Sequence, residues 1–246
     1  MTRLAEPIQQ NFLLARLPKH EQELLHPHLE LVSLHTKDDI NVVESRVHHL
    51  HFPLTAVISI MDMQPSGRTV EAAVVGHEGC SGSYVIDGLK RSLCRTLVQI
   101  GGTALRLSIS TLNTVLPEIP VFERMVRRFT IVLLRHALIS VGCSQFHSVE
   151  QRLGRWLLAH HHRTGSAVFP FTHDFLGEQL GVQRVTVTQA LSAFQDRGLV
   201  HYRYGKVELV DFRGMEKAAC ECFPLAKQAI DDYLGDIESY VKARLR

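Results

Sequence analysis

The chain is short of most of what marks a specialised class of protein. It has no block of like charge, no low-complexity tract and no uninterrupted apolar run approaching the ~18 residues of a membrane span. Residues Met1 to Gln10 lack the basic start and apolar stretch of a secretory signal. These absences argue against a disordered tail, a membrane protein and a secreted one, and the expectation is a cytoplasmic globular chain with no membrane partner. Cysteine is sparse and odd in number: Cys80, Cys94, Cys143, Cys220 and Cys222 are too scattered for a disulfide framework, so free thiols are expected. Excess charge is missing too. With 27 Lys and Arg against 25 Asp and Glu, the net charge of +2 excludes a bulk basic surface, and any nucleic-acid contact must come from a local arrangement.

What is present is a change of pattern along 246 residues, enough for two domains and a connector. Residues 30–110 read as short extended segments, among them Val42–Val43, Ala56–Met61, Val70–Val75, Arg95–Ile100 and Ala104–Leu107. Turn signals at Gln64-Pro65-Ser66-Gly67, Gly76–Gly82, Asp87-Gly88 and Gly101-Gly102 separate them, as in a sandwich, barrel or jelly roll. After Pro117 and Pro120 the period becomes helical, with Phe122, Met125, Val126, Phe129, Val132 and Leu133 at three- and four-residue steps. Ile131, Leu134, Leu138 and Ile139 make the opposite side apolar as well, so a second helix or subunit should cover it. The pattern breaks near Gly142, a domain junction is expected at 142–148, and Ser148-Val149-Glu150-Gln151 has the form of a capping box opening a new helix.

The most specific stretch runs from Thr172 to Ser192 and reads helix, turn, helix. Leu176 and Leu180 share one side of the first helix, Gly177 allows close approach, and Gly181 supplies the turn. Val187, Ala190, Leu191 and Phe194 form the inward stripe of the second helix. Arg184, Val185, Thr188, Gln189 and Ser192 are left to face outward at the end that enters a major groove in this motif. Gly198 stops the helix, and Leu199–Tyr204, Gly205 and Lys206–Val210 read as a β-hairpin wing, with Arg197, Arg203 and Lys206 placed to meet phosphates.

The chain resembles the Crp/Fnr family of transcription regulators. The likeness lies in Gly67-Arg68-Thr69-Val70-Glu71, Val75-Gly76-His77-Glu78-Gly79 and Leu180 to Leu191. It implies an α+β fold: a cyclic-nucleotide-binding-like β-roll over 1–117, a dimerisation helix and hinge over 118–145, and a winged helix-turn-helix over 146–213. A helical extension over 214–246 would be longer than the family usually carries. It also implies a homodimer on palindromic double-stranded DNA, RNA polymerase as a partner, and either control by an unidentified small-molecule effector or a protein competent without one. Pairing is expected through Phe122, Met125, Phe129, Val132 and Leu133. Family members often begin the recognition helix Ser-Arg-Glu-Thr-Val-x-Arg, matched here by Gln183 to Gln189. Arg184 keeps the guanine contact and Thr186 the phosphate contact, whereas Val185 cannot accept from cytosine and Gln189 suits adenine. The half-sites should then lie about one helical turn (~34 Å) apart, with a sequence unlike the family's best-known consensus.

Sensing chemistry stays open, and no cofactor is assigned. Gly76, His77 and Glu78, with Arg95-Thr96, stand near where family members hold a cyclic nucleotide. An iron–sulfur centre of the family's N-terminal kind lacks cysteines before Cys80, and Cys220-x-Cys222, a redox or metal pair without a second pair beside it, stays unassigned. His77 and the His48-His49-x-His51 run raise haem or metal sensing, while His160-His161-His162 points three ways around a helix and cannot form one site. A cupin-like metal enzyme would need a third ligand near His51, and it would leave the long helix and the DNA reader unexplained. No catalytic residue is assigned.

Overall fold

The computed structural model describes residues 5–244 and shows mixed helix and strand in two compact units. Among the described residues the first comprises 5–60, 73–135 and 229–244, and the second 61–72 and 136–228.

The first unit opens with short helices α1 (Ala5–Gln10), α2 (Phe12–Ala15) and α3 (Lys19–Leu25), followed by the roll. The roll consists of β1 (Glu30–Leu34), β2 (Asp39–Asn41), β3 (His49–Pro53), β4 (Val57–Met63), β5 (Thr69–Val75), β6 (Arg95–Ile100) and β7 (Gly102–Ser108). They form a three-stranded sheet ordered β1-β7-β3 and a four-stranded sheet ordered β2-β6-β4-β5. Leu50, Phe52, Ile58, Leu105 and Leu107 are buried in its core. Val42–Val43 is not a strand: Ser45 Oγ donates to the Val42 carbonyl and accepts from its amide, and Glu44 takes φ 63°, a tight turn that β-branched composition alone does not reveal.

After α4 (Ile109–Val115) comes α5 (Pro120–Phe146), which runs through Gly142 without a break. Its first turn is capped from a distance, because the buried Glu21 carboxylate accepts from the Val121 and Phe122 amides at 2.9 and 2.8 Å. That satisfies two of the orphan donors every helix start carries and sets a negative charge against the positive end of the helix dipole. By length and composition α5 could cross a membrane, since its arginines are spaced widely enough to leave an apolar window that no uninterrupted run betrays.

Phe122, Met125, Phe129, Val132 and Leu133 were expected to pack against both a second subunit and the roll; the first four are buried in one core with the roll residues, and Leu133 packs partly against it. The covering element is the last helix, α10 (Cys222–Arg244), which brings Ile230, Tyr233 and Ile237 into that core. The Tyr233 hydroxyl donates to the Met125 carbonyl at 3.2 Å, and its ring lies 5.5 Å from that of Phe129. Arg128 pairs with Asp236, Arg16 with Glu238 at 3.2 Å, and the Arg124 guanidinium lies 4.1 Å from the centre of the Tyr240 ring.

The second unit is built on α6 (Val149–Thr164), α7 (His173–Leu180), α8 (Arg184–Asp196) and α9 (Phe212–Ala218), with a small antiparallel sheet. That sheet is β8 (Val168–Phe169), β9 (Val200–Arg203) and β10 (Lys206–Leu209), in the order β8-β10-β9. The capping box is complete, with Ser148 Oγ accepting from the Gln151 amide and Gln151 Oε1 accepting from the Ser148 amide. Trp156 anchors the core: its ring meets His160 at 3.8 Å and Phe171 at 4.8 Å, and its indole N–H donates to Glu71 at 3.0 Å.

Candidate nucleic-acid interface

Local sequence explains the geometry of the reader. Thr172 caps α7 by accepting from the Phe175 amide at 3.2 Å, and Gly181 ends it with φ 66°. A Cβ on Gly177 would come within 2.9 Å of the Val182 carbonyl oxygen, so the turn passes too close for any side chain there. Val187, Ala190, Leu191 and Phe194 are buried, which turns Arg184, Val185, Gln189 and Ser192 to solvent. Thr186 and Thr188 are half-buried.

Thr188 is less available than its position suggests. Its hydroxyl donates to the Arg184 carbonyl at 3.1 Å and accepts from His173 Nδ1 at 2.8 Å, so it ties α8 to α7. His173, not singled out from sequence, is held below the ordinary histidine pKa by burial first and by the Arg184 charge second. Its other neighbour is the Tyr202 ring, 4.3 Å away on the wing.

Cations ring the exposed face without strong commitments inside the chain. Arg184 lies 3.6 Å from Asp174 and Arg197 lies 3.7 Å from Glu150, both pairs well exposed and therefore worth little in water. The wing turn is Tyr204-Gly205, with φ 51° and 71°, the double positive φ of a tight hairpin. Tyr204 is 86% exposed at its tip, and the Arg203 guanidinium lies 4.9 Å from the centre of its ring. Lys206 follows, exposed on β10. An aromatic residue in this conformation is uncommon.

The effector candidates are placed differently. Arg95 is engaged by Asp39 through two hydrogen bonds at 2.7 and 3.3 Å, so a phosphate there would have to displace a carboxylate. Thr96 is buried, with its hydroxyl oxygen unpartnered. Gly76 and Glu78 are buried, while the His77 ring packs 4.3 Å from Phe12 and its carbonyl accepts from the Phe12 amide at 2.7 Å. A Cβ on Gly79 would run into the Phe129 ring, which sets this loop directly on α5.

Among the histidines, His49 and His51 stand 6.0 Å apart on β3. Burial holds His51 neutral, pushing its pKa down to about 4 with help from His49 and Arg106. His160 and His161 accept different tasks, one against the Trp156 carbonyl and one against the Ser166 carbonyl. Cys220 and Cys222 are joined by Cys143, near the end of α5, and His147, just after it. That company is hard to see in sequence, because it lies far upstream.

Comparison with known proteins agrees with this geometry. Residues 151–218 match the model of the Crp-like helix-turn-helix domain. The chain carries a Crp-like helix-turn-helix domain. Over 59 residues it is 34% identical to the transcriptional regulator SdrP of Thermus thermophilus, a match spanning 24% of this chain and 29% of SdrP. Its fold is similar to that of FixK2 from Bradyrhizobium japonicum (TM-score 0.66, 15% identity, 78% of this chain and 98% of that one). A Crp/Fnr-family protein from Eubacterium rectale is also similar (TM-score 0.67, 14% identity, 84% and 96%). The matched domain is thus Crp-like, and the fold is similar to that of these solved regulators.

Proposed function

We propose that this Crp/Fnr-type chain acts as a cytoplasmic homodimer that reads a two-fold symmetric DNA site, one α8 in each of two successive major grooves. The observation that carries the reading is the division of α8 into a wholly buried apolar stripe and an exposed stripe of Arg184, Val185, Gln189 and Ser192, flanked by a cationic wing. Arg184 at the first turn suits a bidentate contact with guanine, and Gln189, one turn later, suits adenine. Thr186, Arg197, Arg203 and Lys206 position the domain on phosphates.

Pairing is supported by a second stripe. Ile131, Leu134, Leu138 and Val141 are each more than half exposed on α5, and their three- and four-residue steps follow the heptad seam of a two-helix coiled coil. These residues replace the buried set as the dimer surface in this reading. An effector acting at loop 76–82 would reach α5 through the contact between Gly79 and Phe129. A cyclic nucleotide at Arg95 is disfavoured by Asp39, and RNA polymerase is the downstream partner.

Selection from randomised duplex DNA, with and without cyclic AMP, tests the proposal. The expected result is a palindrome with half-sites about one turn apart, lost at one base position per half-site in Arg184→Ala at a cost of about 1–3 kcal/mol per site. Recovery of the same sequence by Arg184→Ala, or of no sequence by either protein, would sink it.

A further inference from the structure

The DNA-binding reading leaves one cluster of the second unit without a task. Cys143 lies in the last turn of α5 and His147 directly follows the helix, its amide donating to the Cys143 carbonyl at 3.2 Å. Far along the chain, Cys220 precedes α10 and Cys222 opens it. The four ligand atoms all lie within 4.8 Å of one another. Cys143 Sγ is 3.5 Å from Cys220 Sγ, and Cys222 Sγ is 3.7 Å from His147 Nδ1.

Those separations match one kind of occupant. A tetrahedral zinc ion with bonds of about 2.3 Å to sulfur and 2.0–2.1 Å to nitrogen holds neighbouring ligand atoms roughly 3.5–3.8 Å apart. The two measured edges are therefore already close to those of the polyhedron. A polynuclear iron–sulfur cluster places several irons and sulfides between its thiolates and needs a wider cage. All three cysteines are buried, as a closed structural site requires.

The surroundings complete the set. With Nδ1 turned to the thiols, His147 Nε2 sits 3.1 Å from Glu221 Oε1, the carboxylate that orients a metal-bound imidazole and raises its donor strength. Three thiolates, one imidazole and a divalent cation carry a net negative charge. Arg155 answers it: its field acts on Cys143 and Cys222, and its Nε is buried with no hydrogen-bond partner.

We propose that Cys143, His147, Cys220 and Cys222 form a Cys3His zinc site that pins the end of α5 to the start of α10. Binding is an exchange of protons for metal with no change of oxidation state: zinc enters, the remaining thiol protons leave to solvent, and the imidazole binds neutral through Nδ1. With four protein ligands there is no open position for substrate, so the ion's work is to fix the junction where the long helix gives way to the reader.

Full-length protein, purified under reducing conditions without chelator, should carry stoichiometric zinc by elemental analysis. After metal removal it should take up Co2+ with the intense visible bands and thiolate charge-transfer absorption of a tetrahedral sulfur-rich site. Cys220→Ser and His147→Ala should lose this spectrum, and His147→Cys should retain metal with a shifted one. Glu221→Gln should weaken zinc affinity by about tenfold, the lower end for an outer partner because Glu221 is exposed. Circular dichroism of each variant separates loss of the site from loss of the fold, and the wild-type cobalt spectrum needs no variant at all. A weak octahedral spectrum from the wild type, substoichiometric zinc after reconstitution, or an unchanged spectrum in Cys220→Ser would overturn the proposal. So would a Cys143–Cys220 disulfide, found by mass spectrometry in place of bound metal.

Discussion

His51 shows how a single side chain sets a condition on the whole roll. It stands half-buried on the face of β3 opposite the core residues Leu50 and Phe52, yet its Nδ1 is buried and without a hydrogen-bond partner. Its folded pKa of about 4 lies below the unfolded value of 6.5, so between those two pH values the unfolded chain binds the extra proton and the folded chain does not. Stability is therefore complete above pH 6.5, declines as pH falls through that window, and levels off once the folded form also protonates. The loss from this group amounts to at most about 3 kcal/mol. His49 and His173 are shifted the same way and add to the slope. Urea midpoints measured at pH 7 and pH 5 should differ in the wild type and differ distinctly less in His51→Gln. Equal pH dependence in the two proteins would show that His51 is solvated.

At the scale of elements, the long helix is the informative case. Its apolar residues run almost all the way round, and the sequence reading set the dimer face on the side of Phe122, Met125 and Phe129. The choice is made by α10, about a hundred residues later, whose Ile230, Tyr233 and Ile237 cover the Phe122–Phe129 side and leave the seam through Leu134 and Leu138 bare. Local pattern carries short-range information well, which is why the Ser148 capping box, the Gly181 turn and the stripe of α8 were legible residue by residue. It carries little about partners distant in the chain, such as Glu21 capping α5, or Cys143 meeting Cys220. If the bare seam pairs two chains, Leu134→Glu with Leu138→Glu should convert the dimer to monomer in sedimentation velocity, because charges at both positions cannot be buried without partners. The fold should survive, since both side chains already face solvent. A variant that stays dimeric would place the interface elsewhere.

For the whole molecule, the decisive quantity is how few charges act on DNA. A chain with a net charge of +2 has no general attraction for a polyanion, so in the proposed dimer affinity would rest on Arg197, Arg203 and Lys206 beside each recognition helix. Each phosphate contact on duplex DNA contributes about 0.9 to the slope of log affinity against log salt. In a monomer, Lys206→Ala would lower that slope by about 0.9. In a symmetric dimer the same substitution removes a contact from both halves and should lower it by about 1.8. Fluorescence anisotropy on the selected palindrome across a salt series reads the difference directly, without assuming any structure of the complex. Sequence preference should be unchanged, because a phosphate contact carries no base information. A drop near 0.9 would mean that one reader engages at a time, and no drop would remove Lys206 from the interface. The two-reader value would join the wing, the recognition helix and the seam of α5 into one symmetric device.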